Sequence, residues 1–472
     1  MKKYLLLLVV FMHVSILYAQ NSYDKIKFQL DSLLNDDYFK SCNIAIDAYN
    51  LTNEKQIYGK NEKLLMRPAS NQKVLTTATA LQFLGGDYKF ATSIYYTGKI
   101  NDDVLEGDVY FVGGFDPDFS INDLSVLVGK LKNSGITKIK GKIYADISAG
   151  DSLFWGEGWM WDDDPSSDFP SLTPLVINDN CVYAAFKPSK LKDKPIVELI
   201  PSTKYANLIN NAITDTITEN FDIVRNWVVR GNDFKAIGKL NINESPDTFK
   251  INIFDGNAYF MTLAIEEMNK QGIKTQESFE YKIIPQDAIK IYTIERAFKD
   301  VIDNLNKQSD NLSAEMTLRA IALQYFGKPA TPKNGVKLID SLITLAGLNP
   351  KNYRLADGSG VSYYNLISAE MLNAVVKYMY QNNSTGFRML YNSFPIGGID
   401  GTLRGRMKEG NCYNNVHAKT GTLSGVSTLT GYLTAKNGAL ISFSILTQNF
   451  VGSSRTVRNY QDKICEILSN LE

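Results

Sequence analysis

A serine three residues ahead of a lysine can be a nucleophile with its own base, and this chain carries Ser70-Asn71-Gln72-Lys73 at the entry to an apolar segment. On a helix that spacing puts both side chains on one face, within reach of each other. A helix's first free N–H groups favour negative charge developing on such a serine. A lysine partly desolvated among apolar neighbours has a lowered pKa, which moves it toward use as a base. Two further clusters follow in order. Ser309-Asp310-Asn311 precedes the helical stretch Leu312–Leu323, and Lys419-Thr420-Gly421 precedes Thr422–Leu433, rich in threonine and apolar residues like a strand. Ser309 could relay a proton between Lys73 and a leaving amine, and the Asn311 amide could hold a substrate backbone. Lys419 with the Thr420 and Thr422 hydroxyls could hold a carboxylate, and the missing side chain of Gly421 could let substrate lie along the strand.

Each cluster also has a plainer reading. Ser70 could cap a helix, Lys73 could be solvated, Ser309-Asp310-Asn311 could be a cap, and Lys419 could sit exposed on an edge strand. Ser-x-x-Lys recurs at Ser22–Lys25 and Ser189–Lys192, both in polar settings, and Ser-x-Asn recurs at Ser41 and Ser120. Lys-Thr-Gly and Ser-Asp-Asn occur once each. The three motifs in this order, each in a suitable local setting, favour the chemical reading.

Other chemistries find less support. The only histidine beyond the first 20 residues is His417, and no Gly-x-Ser-x-Gly occurs, so a Ser-His-Asp triad is not expected. Cys42, Cys181, Cys412 and Cys465 are widely separated and show no zinc spacing. They allow three full pairings, and free buried thiols are an equal alternative. Residues 1–19 read as a signal peptide: Lys2-Lys3, an apolar run from Leu5 to Leu17, and Ala19 at the cleavage position. Its removal leaves 48 basic against 50 acidic side chains, a balance that gives no basic surface for nucleic acid. With 44% hydrophobic and 21% charged residues the rest is ordinary globular chain.

The elements expected to position the motifs begin with a helix over 22–35, from Ile26, Leu30, Leu33 and Leu34, and strands at Asn43–Tyr49 and Lys55–Tyr58. An extended Pro68-Ala69 leads into a helix Val74–Leu84, closed by Gly85-Gly86 and buried on most sides. From Asp87 the pattern becomes β-rich: Ala91–Ile100, Val104–Val112, Lys138–Ile147, Val182–Phe186, Ile196–Ile200, Phe221–Ile242 and Phe279–Ile284, with one helix at Ala258–Lys270. From Tyr292 it turns helical again, and it ends with a strand Ala439–Leu446 and a helix Arg455–Leu468. The reading is an α/β (α+β) domain interrupted by a long β-rich insertion.

The chain resembles the low-molecular-mass class C penicillin-binding proteins, the D-alanyl-D-alanine carboxypeptidase/endopeptidase family. The resemblance rests on Arg67–Lys73, Asn306–Asn311, Asp357-Gly358-Ser359-Gly360, Ala418–Leu423 and Val112–Pro117, and on more than two hundred residues between the first two motifs. It implies a penicillin-recognising domain of helical cluster and antiparallel sheet formed from 20–85 and 291–472. It further implies an inserted domain, 86–165 and 250–290, and a third domain, 166–249, nested within it. The implied protein is an exported serine D-alanyl-D-alanine carboxypeptidase, also an endopeptidase, periplasmic or otherwise extracytoplasmic. Since no segment after residue 19 is long and apolar enough to cross a bilayer, at most peripheral membrane contact is expected. Its substrates would be peptidoglycan stem peptides ending in D-Ala-D-Ala, its inhibitors β-lactams, and it would need no cofactor or metal. Ser70, Lys73 and Ser309 would be catalytic. Asn311, Lys419, Thr420, Gly421 and Thr422 would bind substrate, and the backbone N–H groups of Ser70 and Thr422 would hold the oxyanion. Asp357-Gly358-Ser359-Gly360 is expected to be only a tight turn. A serine β-lactamase using the same motifs, or a non-catalytic peptidoglycan-binding sensor, are the alternatives.

Overall fold

In the computed structural model residues 22–472 are described, and the expected signal peptide lies outside them. The chain divides into two units, one holding the chain up to Gly86 with Ile302–Asp310 and Val336–Glu472, the other Asp87–Val301 with Asn311–Gly335.

The first unit is built on a five-stranded antiparallel sheet, in the order His417–Leu423, Val426–Thr434, Leu440–Gln448, Asn43–Asn50 and Lys55–Lys60. Asn43–Asn50 pairs with Leu440–Gln448 in unbroken register, so the two ends of the chain share one sheet. Alternation along Asn43–Asn50 sends Ile44, Ile46 and Ala48 to one face. There they meet Ile26 and Leu30 of the first helix (22–33), Leu34 just after it, and Ile464, Cys465 and Leu468 of Ser454–Ser469. Asp47 points to the other face, where its carboxylate accepts from Asn373 at 2.9 Å on the helix Ala369–Asn382. That helix packs on the sheet, and Gln72–Phe83 packs on it and on Ser384–Ser393. From Gln72 to Leu81 every residue of Gln72–Phe83 is buried, so this helix has no solvent face.

Two expectations in this unit, and one at the junction that follows the insertion, need correction. Thr422–Leu433 is not one strand: the strands His417–Leu423 and Val426–Thr434 form a hairpin, turned at Gly425 with φ +66°. Pro68 is in the helical region (φ −73°, ψ −23°), so the chain does not enter the Ser70 segment extended. Ile289–Ala297 is a strand, and helical structure resumes only at Phe298.

The second unit contains a five-stranded mixed sheet in the order Phe279–Tyr281, Ile143–Asp146, Val109–Val112, Lys89–Tyr96 and Ile289–Ala297. Two smaller assemblies of strands lie between residues 181 and 252. In one, Cys181–Lys187 is flanked by Ile196–Ile200 and Asp247–Asn252. In the other, Asp233–Asn241 is flanked by Asn207–Asn210, Ile213–Asp215 and Glu219–Arg225. The single strand expected at Ala91–Ile100 is two, Lys89–Tyr96 and Lys99–Asn101, because Gly98 turns the chain at φ +82°. Val104–Val112 is likewise broken, at Gly107, where a Cβ would lie 1.8 Å from the Thr97 carbonyl oxygen. Phe221–Ile242 is interrupted by a turn at Trp227–Val229. The helix Ile121–Asn133 lies outside the sequence-based expectations, although Leu124, Leu127, Val128 and Leu131 are buried at helical spacing and Ser120 with Asp123 forms a capping box. All four cysteines are free thiols. Among the described residues no helix is long and apolar enough to cross a membrane.

Candidate active site

Ser70 lies in a short 3-10 turn, Ala69–Asn71, that runs into the helix Gln72–Phe83. Ala69 has φ +46°, a conformation that costs energy for a residue with a Cβ and persists only when its surroundings hold it. Two glycines and a hydroxyl do so. A Cβ on Gly421 would lie 2.9 Å from the Ser70 nitrogen and 3.0 Å from the Pro68 carbonyl oxygen, and one on Gly360 would lie 1.9 Å from the Ala69 carbonyl oxygen. Thr428 donates its hydroxyl to the Pro68 carbonyl at 2.8 Å. In the amide orientation that suits its neighbours, Asn71 donates to the Lys419 carbonyl at 2.8 Å. The turn is thus clamped between the strand His417–Leu423 and the loop at Gly360. Gly421 is needed first for protein-to-protein packing.

One turn on, Lys73 is completely buried. Its Nζ is 3.0 Å from Ser70 Oγ and donates to the Ser359 carbonyl at 2.8 Å. Asp357-Gly358-Ser359-Gly360, expected to be only a tight turn, is a bend in the chain that also supplies the Lys73 partner. Its Asp357 carboxylate accepts from the Gly360 and Ser362 N–H groups and from Asn365 at 2.7–2.9 Å. It also docks on the helix: the Gly358 carbonyl accepts from Thr76 at 2.7 Å, and the Asp357 carbonyl from Gln72 at 3.3 Å. The lysine's second partner therefore comes from a loop 286 residues away, which local spacing could not reveal.

Ser309 ends the π-helical segment Asn304–Gln308 with φ +64°. Asn306, buried, anchors that segment: its amide donates to Ser393 Oγ at 2.9 Å and accepts from Thr77 of the Ser70 helix at 3.4 Å. Lys307 pairs with Asp400 at 2.7 Å. Lys419, also completely buried, donates to Ser309 Oγ at 2.8 Å and to the Thr420 carbonyl at 2.8 Å. Burial, and then the like charge of Lys73, push the Lys419 ammonium well below the usual lysine range. The structure thus brings Ser70, Lys73, Ser309, Lys419 and Gly421 together, as two buried lysines each bonded to a serine hydroxyl.

The remaining motif residues lie around this centre or apart from it. Thr420 donates its hydroxyl to Thr402 Oγ1 at 2.7 Å, and Thr422 Oγ1 accepts from Arg458 Nη2 at 3.1 Å. Arg458 carries no motif of its own; it reaches Thr422 from the helix Ser454–Ser469. Asn311 belongs to the second unit, where its amide donates to the Asp168 carbonyl at 2.6 Å. His417 stacks on Tyr391 at 4.0 Å with Nδ1 facing the Tyr391 carbonyl at 3.2 Å, and burial lowers its pKa. The other two Ser-x-x-Lys matches are ordinary surface. Ser22 Oγ accepts from the Glu472 N–H at 3.1 Å, and Lys192 is in an exposed ion pair with Asp215 at 3.0 Å.

The profile of the D-Ala-D-Ala carboxypeptidase 3 (S13) family matches residues 26–471. The chain belongs to that family. Among S13-type relatives, D-alanyl-D-alanine carboxypeptidase DacB of Haemophilus influenzae is 28% identical over 410 residues, covering 85% of this chain and 84% of the relative. A D-alanyl-D-alanine carboxypeptidase of Actinomadura sp. strain R39 is 26% identical over 444 residues, covering 91% and 82%. The crystal structure of penicillin binding protein 4 from Haemophilus influenzae superposes with a TM-score of 0.82 at 25% identity, covering 93% of this chain and 99% of that one. The fold is that of the penicillin-recognising serine peptidases, and the S13 chain is a serine-type D-alanyl-D-alanine carboxypeptidase.

Proposed function

We propose that Ser70 is the nucleophile of this carboxypeptidase and Lys73 its base. The observation that carries this reading is the buried Lys73 amine 3.0 Å from the Ser70 hydroxyl. Neutral Lys73 takes the Ser70 proton as Oγ attacks the carbonyl between two D-alanines. The oxyanion is held by the N–H groups of Ser70 and Thr422, and Ser309, bonded to Lys419, gives its proton to the departing D-alanine nitrogen and recovers one from the Lys73 ammonium. Water then cleaves the acyl-enzyme. Two ammoniums buried together repel, so the pair gives up a proton more readily than either would alone.

Lys419, Thr420 and Thr422 hold the free carboxylate of the terminal D-alanine in this reading. A Thr422 hydroxyl that accepts from Arg458 keeps its own proton for a carboxylate oxygen. Asn311, two residues along from Ser309, is assigned to the substrate backbone. The substrates are peptidoglycan stem peptides ending in D-Ala-D-Ala, crosslinked ones included, which places the enzyme outside the cytoplasm after cleavage behind Ala19. β-Lactams acylate the same serine. The test is release of D-alanine from a diacyl-D-Ala-D-Ala peptide. The wild-type chain should release it and Ser309→Ala should lose most of the rate; undiminished release by that variant removes Ser309 from the relay.

We also assign 86–165 with 250–290, and 166–249 nested within it, as separate accessory domains, supported by the strand assemblies lying between residues 181 and 252. Replacing 166–249 by a short Gly/Ser linker should leave a folded, penicillin-reactive chain that acts poorly on crosslinked polymer. Loss of acylation in a folded variant would refute the division.

A further inference from the structure

All four tryptophans of the 472-residue chain, Trp155, Trp159, Trp161 and Trp227, line one pocket of about 320 Å³ in the second unit, together with Phe154 and Phe254. This is not a hydrophobic core. Trp161 is 72% exposed, and Val228 beside the pocket is 71% exposed. Trp161 lies against Trp227 at 5.0 Å and Trp155 against Trp159 at 5.2 Å, so the indoles line the pocket as two pairs, one reaching the surface at Trp161 and the other anchored on the buried Trp159. An exposed aromatic cluster of this kind marks a place where something binds.

Polar groups are built into the same wall. Arg225, 2% exposed, is bonded to the Asp164 carboxylate, to the Gly231 carbonyl at 2.9 Å and to Asn252 Oδ1 at 3.3 Å. This network fixes Asp164 at the pocket edge. Arg230, held at φ +54° on the turn after Trp227–Val229, lays its guanidinium over Phe154 and Phe254 at 5.5 and 5.9 Å. The surface therefore combines flat indole faces, a fixed carboxylate acceptor and a planar cationic donor. An apolar peptide side chain would seek a closed, unpolar pocket. A pyranose offers the matching set: a face of C–H groups for stacking, hydroxyls for Asp164, and an acetamido carbonyl for Arg230.

We propose that this tryptophan-lined pocket binds an N-acetylhexosamine ring of the peptidoglycan glycan strand. The inference rests on the reading that peptidoglycan is the substrate, and it adds a subsite for the sugar polymer to the one for the stem peptide. Because every tryptophan lines the pocket, tryptophan emission excited selectively over the 26 tyrosines reports on it. Titration with a soluble N-acetylglucosamine tetramer should give a saturable change in emission. Trp161→Ala and Trp227→Ala should each weaken that binding about tenfold, while acylation by a fluorescent penicillin stays within twofold of wild type. Absence of any emission change at millimolar tetramer, in a chain that still takes up penicillin, would overturn the proposal. So would a change produced by a sugar-free stem peptide and not by the tetramer. Failure of penicillin labelling in the wild-type chain would instead strike the catalytic reading, so the two can be told apart.

Discussion

Ser70–Lys73 and Ser189–Lys192 have the same spacing and opposite surroundings. The first lysine is buried and bonded to its serine; the second points to solvent and pairs with Asp215 at 3.0 Å. Spacing alone does not make a nucleophile. What distinguishes Ser70 is the clamp around it: Gly421, Gly360 and Thr428 hold the turn, and Ser359 and the helix packing hold the lysine.

The comparison can be broken most sharply at the lysines. Lys73→Arg keeps a cation that cannot deprotonate usefully, so the rate of penicillin acylation should fall by several orders of magnitude. Lys192→Arg should change it by less than twofold. Near wild-type acylation by Lys73→Arg would make the lysine an electrostatic bystander.

A smaller effect is expected at Lys419. Its pKa is lowered by burial and by Lys73, and the repulsion is mutual. Lys419→Gln removes the like charge, so the acid limb of acylation should move to higher pH, besides the loss in rate. The sign for stability follows from the same burial. The unfolded chain holds the Lys419 proton at pH values where the folded chain has released it. Folding stability from this group therefore rises as pH climbs toward the ordinary lysine pKa and is lost as pH falls. A pH–rate profile whose acid limb does not move in Lys419→Gln would contradict the coupling.

The smallest effects belong to the carboxylate end. Thr422→Val should cost about 1.5–3 kcal/mol in kcat/KM for a free-acid peptide, the worth of one hydrogen bond to a charge. Arg458→Gln should cost less, because it only orients that hydroxyl. Both losses should shrink on a C-terminally amidated peptide; equal losses on the two would separate Thr422 from carboxylate reading.

Much of the peptidase unit was legible because its signals are local. The helix after Ser70 follows from an apolar Ala/Leu/Thr run closed by Gly85-Gly86, Leu440–Gln448 from a continuous apolar strand-forming run, and Asn43–Asn50 and the terminal helix from apolar periodicity. The clamp was not legible. Gly360 meets Ala69, Ser359 meets Lys73 and Arg458 meets Thr422 only through the tertiary fold, and none of these contacts leaves a trace in spacing. The hairpin at Gly425 was hidden because Thr422–Leu433 is uniformly strand-forming, with only Ser424-Gly425 to mark the turn. Asn311 shows the limit of a motif from the other side, since it is two residues from Ser309 in sequence yet belongs to the second unit.

The central claim, that environment selects Ser70 among three serines with a lysine at the same spacing, is tested most directly by intact mass after incubation with penicillin, followed by peptide mapping. The account predicts one adduct per chain, on the peptide containing Ser70, and none on Ser70→Ala. An adduct on Ser22, Ser189 or Ser359, or an undiminished adduct on Ser70→Ala, would contradict it.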